Sequence, residues 1–246
     1  MGCRQHCASP PRAESLTCRS SSHLLLWFES NGSHRHRRVA LPDSSVTDAR
    51  SSLRASLRAR RQAIPAAERA RAARQVARHA AALILRPGQR IGIYAATAEE
   101  LDTSCLIALA LRRGCLVYLP RIDRRRRVRT MHFARLADRS SVNRFGITEP
   151  EGPRLTSSRL LDVVFLPIVG FDRHGVRLGM GGGYYDRAFS FRRLRTVWHA
   201  PLLVGIGYAS QEVERIAPAA HDVPLDLVIT ERGIIRCTRV SASTSP

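Results

Sequence analysis

The sequence predicts an α/β protein, a three-layer sandwich in which a largely parallel central sheet lies between two layers of helices. Largely apolar runs at residues 161–166, 202–206 and 225–229 are typical of strands that are buried on both faces. Segments with helical periodicity separate such runs, and this strand–helix alternation favours parallel pairing. A chain of 246 residues is also long enough to bury a substantial core.

The N-terminal segment differs from the rest of the chain. Residues 1–47 are rich in Ser, Arg, His and Pro and lack a sustained period of 3.6 or 2, so we predict a disordered extension. Two origins stay open: a start codon placed too far upstream, which we favour because no amphipathic helix is evident, or an organellar transit peptide. We predict the folded domain at residues 48–237 and a disordered tail at residues 238–246.

Two helices open the predicted domain. Asp48 suits the N-cap of the first helix, in which Leu53 and Leu57 lie four residues apart on one face. A basic stripe beside that face consists of Arg50, Arg54, Arg58 and Arg61. The second helix is rich in Ala, begins at Pro65 and ends before residues 87–88.

The later elements are predicted from apolar runs bounded by turn residues. Strands are expected at residues 90–94, 116–119, 130–134, 161–166, 202–206, 225–229 and 233–236. Helices are expected at residues 103–113, 185–191 and 212–216. Because ligands of parallel sheets bind at the carboxyl ends of strands, residues 99–102, residues 170–186 and Thr230 are candidate site segments.

Charge and cysteine content narrow the classes of function. The formal charge is +20 and all 40 basic residues are Arg, which favours anionic partners such as nucleotides, nucleic acid or polycarboxylates. The Arg-rich residues 50–90 and 112–144 carry few aromatic side chains, so they lack the stacking surface of single-strand nucleic-acid binders. The six Cys show no zinc-ligand spacing, which predicts reduced thiols in the cytoplasm. There is no run of about 18 apolar residues that would cross a membrane.

Residues 177–187 are the most distinctive stretch, with four glycines, two adjacent tyrosines and an Asp–Arg pair. Residues 179–183 can expose several backbone N–H groups to an anion. Tyr184 and Tyr185 offer flat faces and hydroxyl donors, and Asp186 offers a hard oxygen ligand that suits Mg²⁺. The stretch lacks the Gly-Lys-Ser/Thr ending of the nucleotide P-loop. A structural turn with buried tyrosines is the alternative interpretation.

Two acidic stretches are further candidates. Glu99, Glu100 and Asp102 follow a predicted buried strand, where Asp102 suits helix capping and Glu100 suits a ligand contact. Within residues 221–226, Asp226 directly precedes an apolar strand, where a turn or capping role is common. The sequence shows no Ser/His/Asp or Cys/His arrangement that would predict a covalent nucleophile.

Six segments of the chain occur together in one known family. They are residues 100–103, 117–120, 145–150, 161–175, 177–187 and 222–230. In their order and spacing they resemble the 5-formyltetrahydrofolate cyclo-ligase family, also called the 5,10-methenyltetrahydrofolate synthetases, whose signature loop is similar to residues 177–187. The resemblance covers residues 48–236 and implies a fold similar to the sugar-phosphate isomerase and CoA-transferase-like proteins.

The resemblance implies an activity that uses two substrates. Members of the family convert 5-formyltetrahydrofolate and ATP, with Mg²⁺, to 5,10-methenyltetrahydrofolate, ADP and phosphate. The formyl oxygen attacks the γ-phosphate, N10 of the folate closes on the resulting imidate phosphate, and phosphate leaves. Such chemistry depends on positioning and charge neutralisation, which agrees with the missing nucleophile motif. The implied partners are ATP and the folate, with or without a polyglutamate tail, and no specific nucleic acid or membrane; we expect a monomer.

The same resemblance assigns roles to individual residues. The ATP-binding residues that it implies are Arg50, Ser51, Ser52, Leu53, Arg54, Arg177, Leu178, Gly179, Met180, Gly181, Gly182, Gly183, Tyr184 and Tyr185. The implied folate-binding residues are Arg54, Ala95, Glu100, Met180, Gly181, Gly182, Gly183 and Tyr184. The implied catalytic residues are Arg177 and Tyr185, and the implied Mg²⁺ ligands are Asp186 and Asp226. Gly182 stands where some members have Lys, so Arg177 or Arg187 is expected to supply the missing cation.

Two other classes of function stay open from the sequence. The charge suits an RNA- or DNA-binding protein, whose affinity would fall steeply with salt. A sugar-phosphate isomerase or acyl-CoA transferase would share the fold class, although residues 177–187 do not match the pattern of such sites. We expect the protein in the cytoplasm, or in an organelle if residues 1–47 are a transit peptide.

Overall fold

The computed structural model describes eight ranges of the chain. They are residues 44–83, 86–123, 130–136, 140–142, 148–150, 154–155, 157–194 and 200–238. Four α-helices occur there: α1 (Ser44–Gln62), α2 (Ala66–Leu83), α3 (Ser104–Arg112) and α4 (Tyr184–Ala188). Short 3-10 helices cover Ser158–Leu160, Ser190–Leu194 and Ala209–Gln211. Most of the predicted extension and tail lies outside the described residues.

The same ranges contain twelve strands. They are β1 (Arg90–Gly92), β2 (Leu116–Asp123), β3 (Thr130–Arg135), β4 (Ser140–Val142), β5 (Thr148–Pro150), β6 (Arg154–Leu155), β7 (Val163–Pro167), β8 (Gly170–Phe171), β9 (Arg177–Leu178), β10 (Leu202–Ile206), β11 (Leu227–Thr230) and β12 (Gly233–Arg236). Eight strands form the central sheet in the order β12-β11-β10-β7-β1-β2-β3-β6. The strands from β11 to β2 in this order are parallel, and β12, β3 and β6 pair antiparallel at the edges. The predicted class, with its largely parallel sheet, is confirmed.

The central sheet is buried on both faces. Val163 and Phe165 of β7 belong to the core that α2 and α3 cover, whereas Val164 and Leu166 belong to the core on the other face. That second core also contains Phe189, which directly follows α4. Successive side chains of a strand point to opposite faces, so a strand inside a three-layer sandwich must be apolar at every position.

Helix α1 packs apart from these two cores. Leu57 is completely buried and lies in a cluster with Val169, Leu178 and Ile216. The helix begins at Ser44, so the predicted start at Asp48 is wrong by about one turn. Several Ser and Asp residues precede the apolar face, and capping chemistry does not distinguish between them.

Residues 212–216 do not form the predicted helix. The backbone N–H of Val213 donates to the carbonyl of Phe171 (2.9 Å), and that of Ile216 donates to Oδ2 of Asp172 (3.0 Å). These contacts with the segment around β8 take the donors that a helix would use internally, so tertiary pairing overrides local propensity. No helix in the described part of the chain is long and apolar enough to cross a membrane.

Candidate functional site

The strand order reverses beside β1. Strand β2 lies on one side of it, whereas β7 lies on the other side and leads to β10 and β11. Ligands of open α/β sheets bind at such reversals, beside the carboxyl ends of the strands. A cavity of about 280 Å³ opens there, and its wall includes residues 94–95 after β1 and residues 167–169 at the end of β7. Thr230, which the sequence also suggested, is not in the wall.

The glycine-rich loop forms one part of this wall. It connects the β8–β9 hairpin to α4, and in the described part of the chain no acceptor binds the backbone N–H groups of residues 180–183. Gly181 and Gly183 adopt φ angles of 92° and 60°, and a Cβ at Gly183 would lie 2.9 Å from Nη1 of Arg187. Glycine therefore permits a conformation that leaves a row of amides open, which is the arrangement of an anion site.

Arginines of α1 also line the cavity, among them Arg50 and Arg54. Arg54 donates through Nε to the carbonyl of Gly179 (3.0 Å), and its Nη groups have no acceptor among the described residues. Arg50 donates to Asp222 (2.9 Å) and to the carbonyl of Ala217 (2.6 Å). Burial and then the nearby charge of Arg50 lower the pKa of Arg54. Arg54 is thus a cation whose outer nitrogens remain available to an anionic ligand.

Asp186 reaches the cavity from the first turn of α4. Its Oδ1 accepts from Nη2 of Arg177 (2.8 Å) and from the backbone N–H of Val223 (3.0 Å). The buried Arg177 also donates through Nη1 to the carbonyl of Val223. Oδ2 of Asp186 receives no hydrogen bond from the residues that the structure describes. One hard oxygen of a fixed carboxylate therefore fits a contact with Mg²⁺.

Asp226, the second predicted Mg²⁺ ligand, is not among the residues that line the cavity. Its two carboxylate oxygens accept from Nη2 of Arg192 at 2.8 and 2.7 Å, and Oδ2 also accepts from the backbone N–H of Leu203 (2.8 Å). The structure thus does not bring Asp226 and Asp186 together at the wall. Across the described ranges, no cluster of three or more His, Cys, Asp or Glu could hold a metal ion by itself.

Glu100 forms another part of the wall. Its Oε2 accepts from the backbone N–H (2.9 Å) and the hydroxyl (3.1 Å) of Thr97, and its Oε1 has no donor within the described ranges. Asp102 accepts from the backbone N–H of Ser104 (2.9 Å) at the start of α3, in agreement with the capping role expected for it. Glu100 therefore offers the cavity a carboxylate oxygen that can accept N–H groups of a ligand.

Tyr94 and Tyr185 also line the cavity. Burial and then the charge of Glu100 raise the pKa of Tyr185, while Arg177 acts in the opposite direction. Burial and then Glu100 also raise the pKa of Tyr94, whose hydroxyl donates to the carbonyl of Leu101 (3.0 Å). A raised pKa keeps a phenol protonated, so the hydroxyl of Tyr185 is available as a hydrogen-bond donor.

Arg187, one of the two cations expected to replace the Lys of some family members, lies near Gly182 but is not part of the cavity wall. Arg187 donates through Nη2 to the carbonyl of Gly182 (2.9 Å), and its guanidinium lies 5.2 Å from the centroid of the Tyr184 ring. The other candidate, Arg177, lines the cavity but is hydrogen-bonded to Asp186 and to a backbone carbonyl. Arg187 therefore supports the loop, and Arg54 is the cation with open donors beside it.

The cavity includes most of the predicted residues and several that the sequence did not suggest. Predicted residues in the wall are Arg50, Arg54, Ala95, Glu100, Arg177, Gly179, Met180, Gly181, Gly182, Gly183, Tyr184, Tyr185 and Asp186. Ser51 and Ser52 are exposed on α1, and Leu53 and Leu178 pack in the cluster around Leu57. Wall residues that had no predicted role include Arg61, Tyr94, Thr97 and Met131. Spacing could have indicated Arg61, because positions 50, 54, 57 and 61 share one face of a helix.

A parallel sheet with an amide- and arginine-lined cavity at its strand reversal defines the class: an α/β protein whose cavity suits anionic ligands. Residues 46–231 match the 5-formyltetrahydrofolate cyclo-ligase family. The chain therefore belongs to this family of enzymes, as the resemblance predicted.

Individual relatives support the same assignment. The 5-formyltetrahydrofolate cyclo-ligase of Haemophilus influenzae is 32% identical over 183 residues, which cover 73% of this chain and 96% of the relative. The Escherichia coli K12 protein of that name is 35% identical over 57% of this chain and 76% of its own. The solved structure of Aquifex aeolicus 5,10-methenyltetrahydrofolate synthetase superimposes with a TM-score of 0.64 at 29% identity, over 80% of this chain and 96% of that one.

Proposed function

We propose that the protein converts 5-formyltetrahydrofolate to 5,10-methenyltetrahydrofolate and consumes ATP in doing so. The observation that supports this proposal is a single cavity that contains both an anion-binding loop and the carboxylate of Glu100. The phosphates of ATP would bind the open amides of residues 180–183 and the Nη groups of Arg54. The pterin of the folate would donate its N–H groups to Glu100. Relatives that match most of the chain are named for this activity.

The proposed reaction joins the two substrates at the formyl group. The formyl oxygen forms a bond to the γ-phosphorus of ATP, and the bond from that phosphorus to ADP breaks. N10 of the folate then bonds to the formyl carbon and loses its proton, and phosphate leaves with the former formyl oxygen. Because no protein side chain becomes covalently attached, the cavity needs to position two substrates and to balance charge.

Mg²⁺ would be held by Asp186 together with oxygens of ATP. Sites for Mg²⁺ commonly use one or two carboxylates plus substrate phosphates, so the free Oδ2 of Asp186 satisfies the protein part of such a site. When bound, the ion would neutralise charge on the transferred phosphoryl group. Arg177 fixes Oδ1 of Asp186 and leaves Oδ2 for the ion.

The role that we propose for Tyr185 is donation of a hydrogen bond to an oxygen that gains negative charge. In Tyr185→Phe we expect kcat to fall about tenfold, because one donor to a charged group is lost while the ring is kept. The raised pKa keeps the hydroxyl protonated from about pH 6 to about pH 9, so the pH–rate profile should keep its shape in the variant. Steady-state rates across this range test both points. A titration limb that disappears with the hydroxyl would contradict the donor role.

An assay with the full chain tests the proposed activity. Purified protein, 5-formyltetrahydrofolate and Mg²⁺ should give the near-ultraviolet absorbance of methenyltetrahydrofolate only after ATP is added, with ADP formed in equal amount. If the protein binds both substrates and forms no product, the proposed function is wrong. We further propose that the protein is a monomer in the cytoplasm, which gel filtration and the location of the tagged chain would test.

A further inference from the structure

Arg61 is a buried cation in the cavity wall. It has no role in the reaction proposed above. Its side chain is only 3% exposed. A guanidinium carries five N–H donors, yet the one acceptor that the described residues offer Arg61 is Oε2 of Glu99, 3.3 Å from Nη2. Nε is buried and has no hydrogen-bond partner there. Buried donors are costly when unpaired, so the arrangement indicates an acceptor that a ligand supplies.

The contact with Glu99 does not explain why Arg61 is buried. Arg58 donates to both oxygens of Glu99, at 3.1 and 2.9 Å, and holds that carboxylate by itself. Arg58 is half-exposed and does not line the cavity, whereas Arg61 does. The two arginines thus share one carboxylate, but only Arg61 also faces the cavity.

The position of Arg61 argues against a second phosphate contact. Arg54 and Arg61 lie on the same face of α1, seven residues apart, which corresponds to about 10.5 Å along the helix axis. Arg54 contacts the glycine loop through the carbonyl of Gly179, whereas Arg61 contacts Glu99, so the two guanidiniums belong to different parts of the wall. Glu99 and its neighbour Glu100 would also repel an anion at this end. A neutral acceptor such as a carbonyl oxygen suits the place better.

We propose that Arg61 binds the C4 carbonyl oxygen of the pterin, beside the N–H groups that Glu100 accepts. This inference rests on the proposed function, since it takes 5-formyltetrahydrofolate as the ligand. The lactam edge of a pterin presents one carbonyl acceptor next to two N–H donor groups. A guanidinium beside a carboxylate is complementary to that edge, and ring systems with a different order of donors and acceptors would leave buried groups unpaired. Arg61 is therefore a specificity-determining residue for the folate.

A pair of substitutions tests the role of Arg61 in turnover. In Arg61→Gln we expect the KM for 5-formyltetrahydrofolate to rise about tenfold or more, with the KM for ATP changed less than about twofold. Arg58→Gln is the matched control: it removes the other contact of Glu99 and should leave both KM values within about twofold. Circular dichroism verifies that each variant is folded, and Arg61→Lys, which keeps a cation, should recover part of the loss. An unchanged folate KM in Arg61→Gln, or an equal rise in Arg58→Gln, would overturn the proposal.

Equilibrium binding without ATP separates this inference from the proposed reaction. The probes are 5-formyltetrahydrofolate and its 4-deoxy analogue, which lacks the C4 oxygen. The wild type should bind the folate at least about tenfold more tightly than the analogue, and Arg61→Gln should lose most of that preference. The altered N3 of the analogue affects both proteins equally and cancels in the comparison. Equal preference in both proteins would refute the contact with C4, whereas binding as expected without turnover would refute only the reaction.

Discussion

Replacing Asp186 with Asn should reduce kcat/KM for Mg²⁺-ATP by about 100-fold or more. A metal ion stabilises transition-state charge by several kcal/mol, and about 1.4 kcal/mol corresponds to a factor of ten. The side-chain oxygen of an Asn at this position can still accept from Arg177 and Val223, but an NH2 group, which cannot bind a metal ion, then replaces the free Oδ2. Initial rates at a series of Mg²⁺ concentrations should show a higher apparent KM for the ion.

Asp226→Asn is the matched control for this experiment, because the resemblance to the family assigned Mg²⁺ to both residues. The structure pairs Asp226 with the buried Arg192, so the variant should have a lower free energy of unfolding. Its remaining activity should keep the wild-type dependence on Mg²⁺. If Asp226→Asn raises the KM for the ion and Asp186→Asn does not, the assignment of the metal to Asp186 is wrong.

The strands were predictable because their burial leaves a local signal. Strand β7 contributes side chains to the cores on both faces of the sheet, so residues 163–166 are apolar at every position. The helix predicted at residues 212–216 was wrong for the opposite reason, because the conformation of this segment is set by a distant contact. Its outcome depends on Asp172, whose Oδ2 accepts from Ile216 across 44 positions of the chain. A local pattern contains no information about such a partner.

The candidate site likewise combines features with a local sequence signal and features that depend on distant contacts. The glycine loop was recognisable because positive φ angles at positions 181 and 183 favour glycine there. The surroundings of the carboxylates were not recognisable, since they depend on distant arginines: Arg192 engages both oxygens of Asp226, whereas Arg177 engages only Oδ1 of Asp186. Arg61 was visible only as part of a basic stripe. The packing of α1 places Arg50, Arg54 and Arg61 of that stripe in the cavity wall and leaves Arg58 outside it.

Replacing Arg177 with Met should lower the free energy of unfolding by about 3–5 kcal/mol. The side chains of Arg177 and Asp186 are 5% and 18% exposed, and removing one partner of such a pair leaves an uncompensated buried charge. The backbone carbonyl of Val223 also loses its donor. Arg173→Met is the matched control, because Arg173 is 68% exposed in its pair with Glu212. That variant should change stability by less than about 1 kcal/mol. Urea unfolding at neutral pH measures the free energy of unfolding of both variants, provided that its dependence on urea concentration, the slope m, is the same as in the wild type.

The double variant Arg177→Met/Asp186→Asn identifies why Arg177→Met lowers the free energy of unfolding. If the cost arises mainly from the carboxylate left without its cation, replacing that carboxylate should return part of the stability that Arg177→Met removes. The double variant would then be more stable than Arg177→Met alone, although it would keep the low activity expected of Asp186→Asn. Strictly additive losses would instead mean that the packing of the Arg177 side chain, rather than its charge, stabilises the loop. In that case Arg177 would not be the residue that holds Asp186 ready for a metal ion.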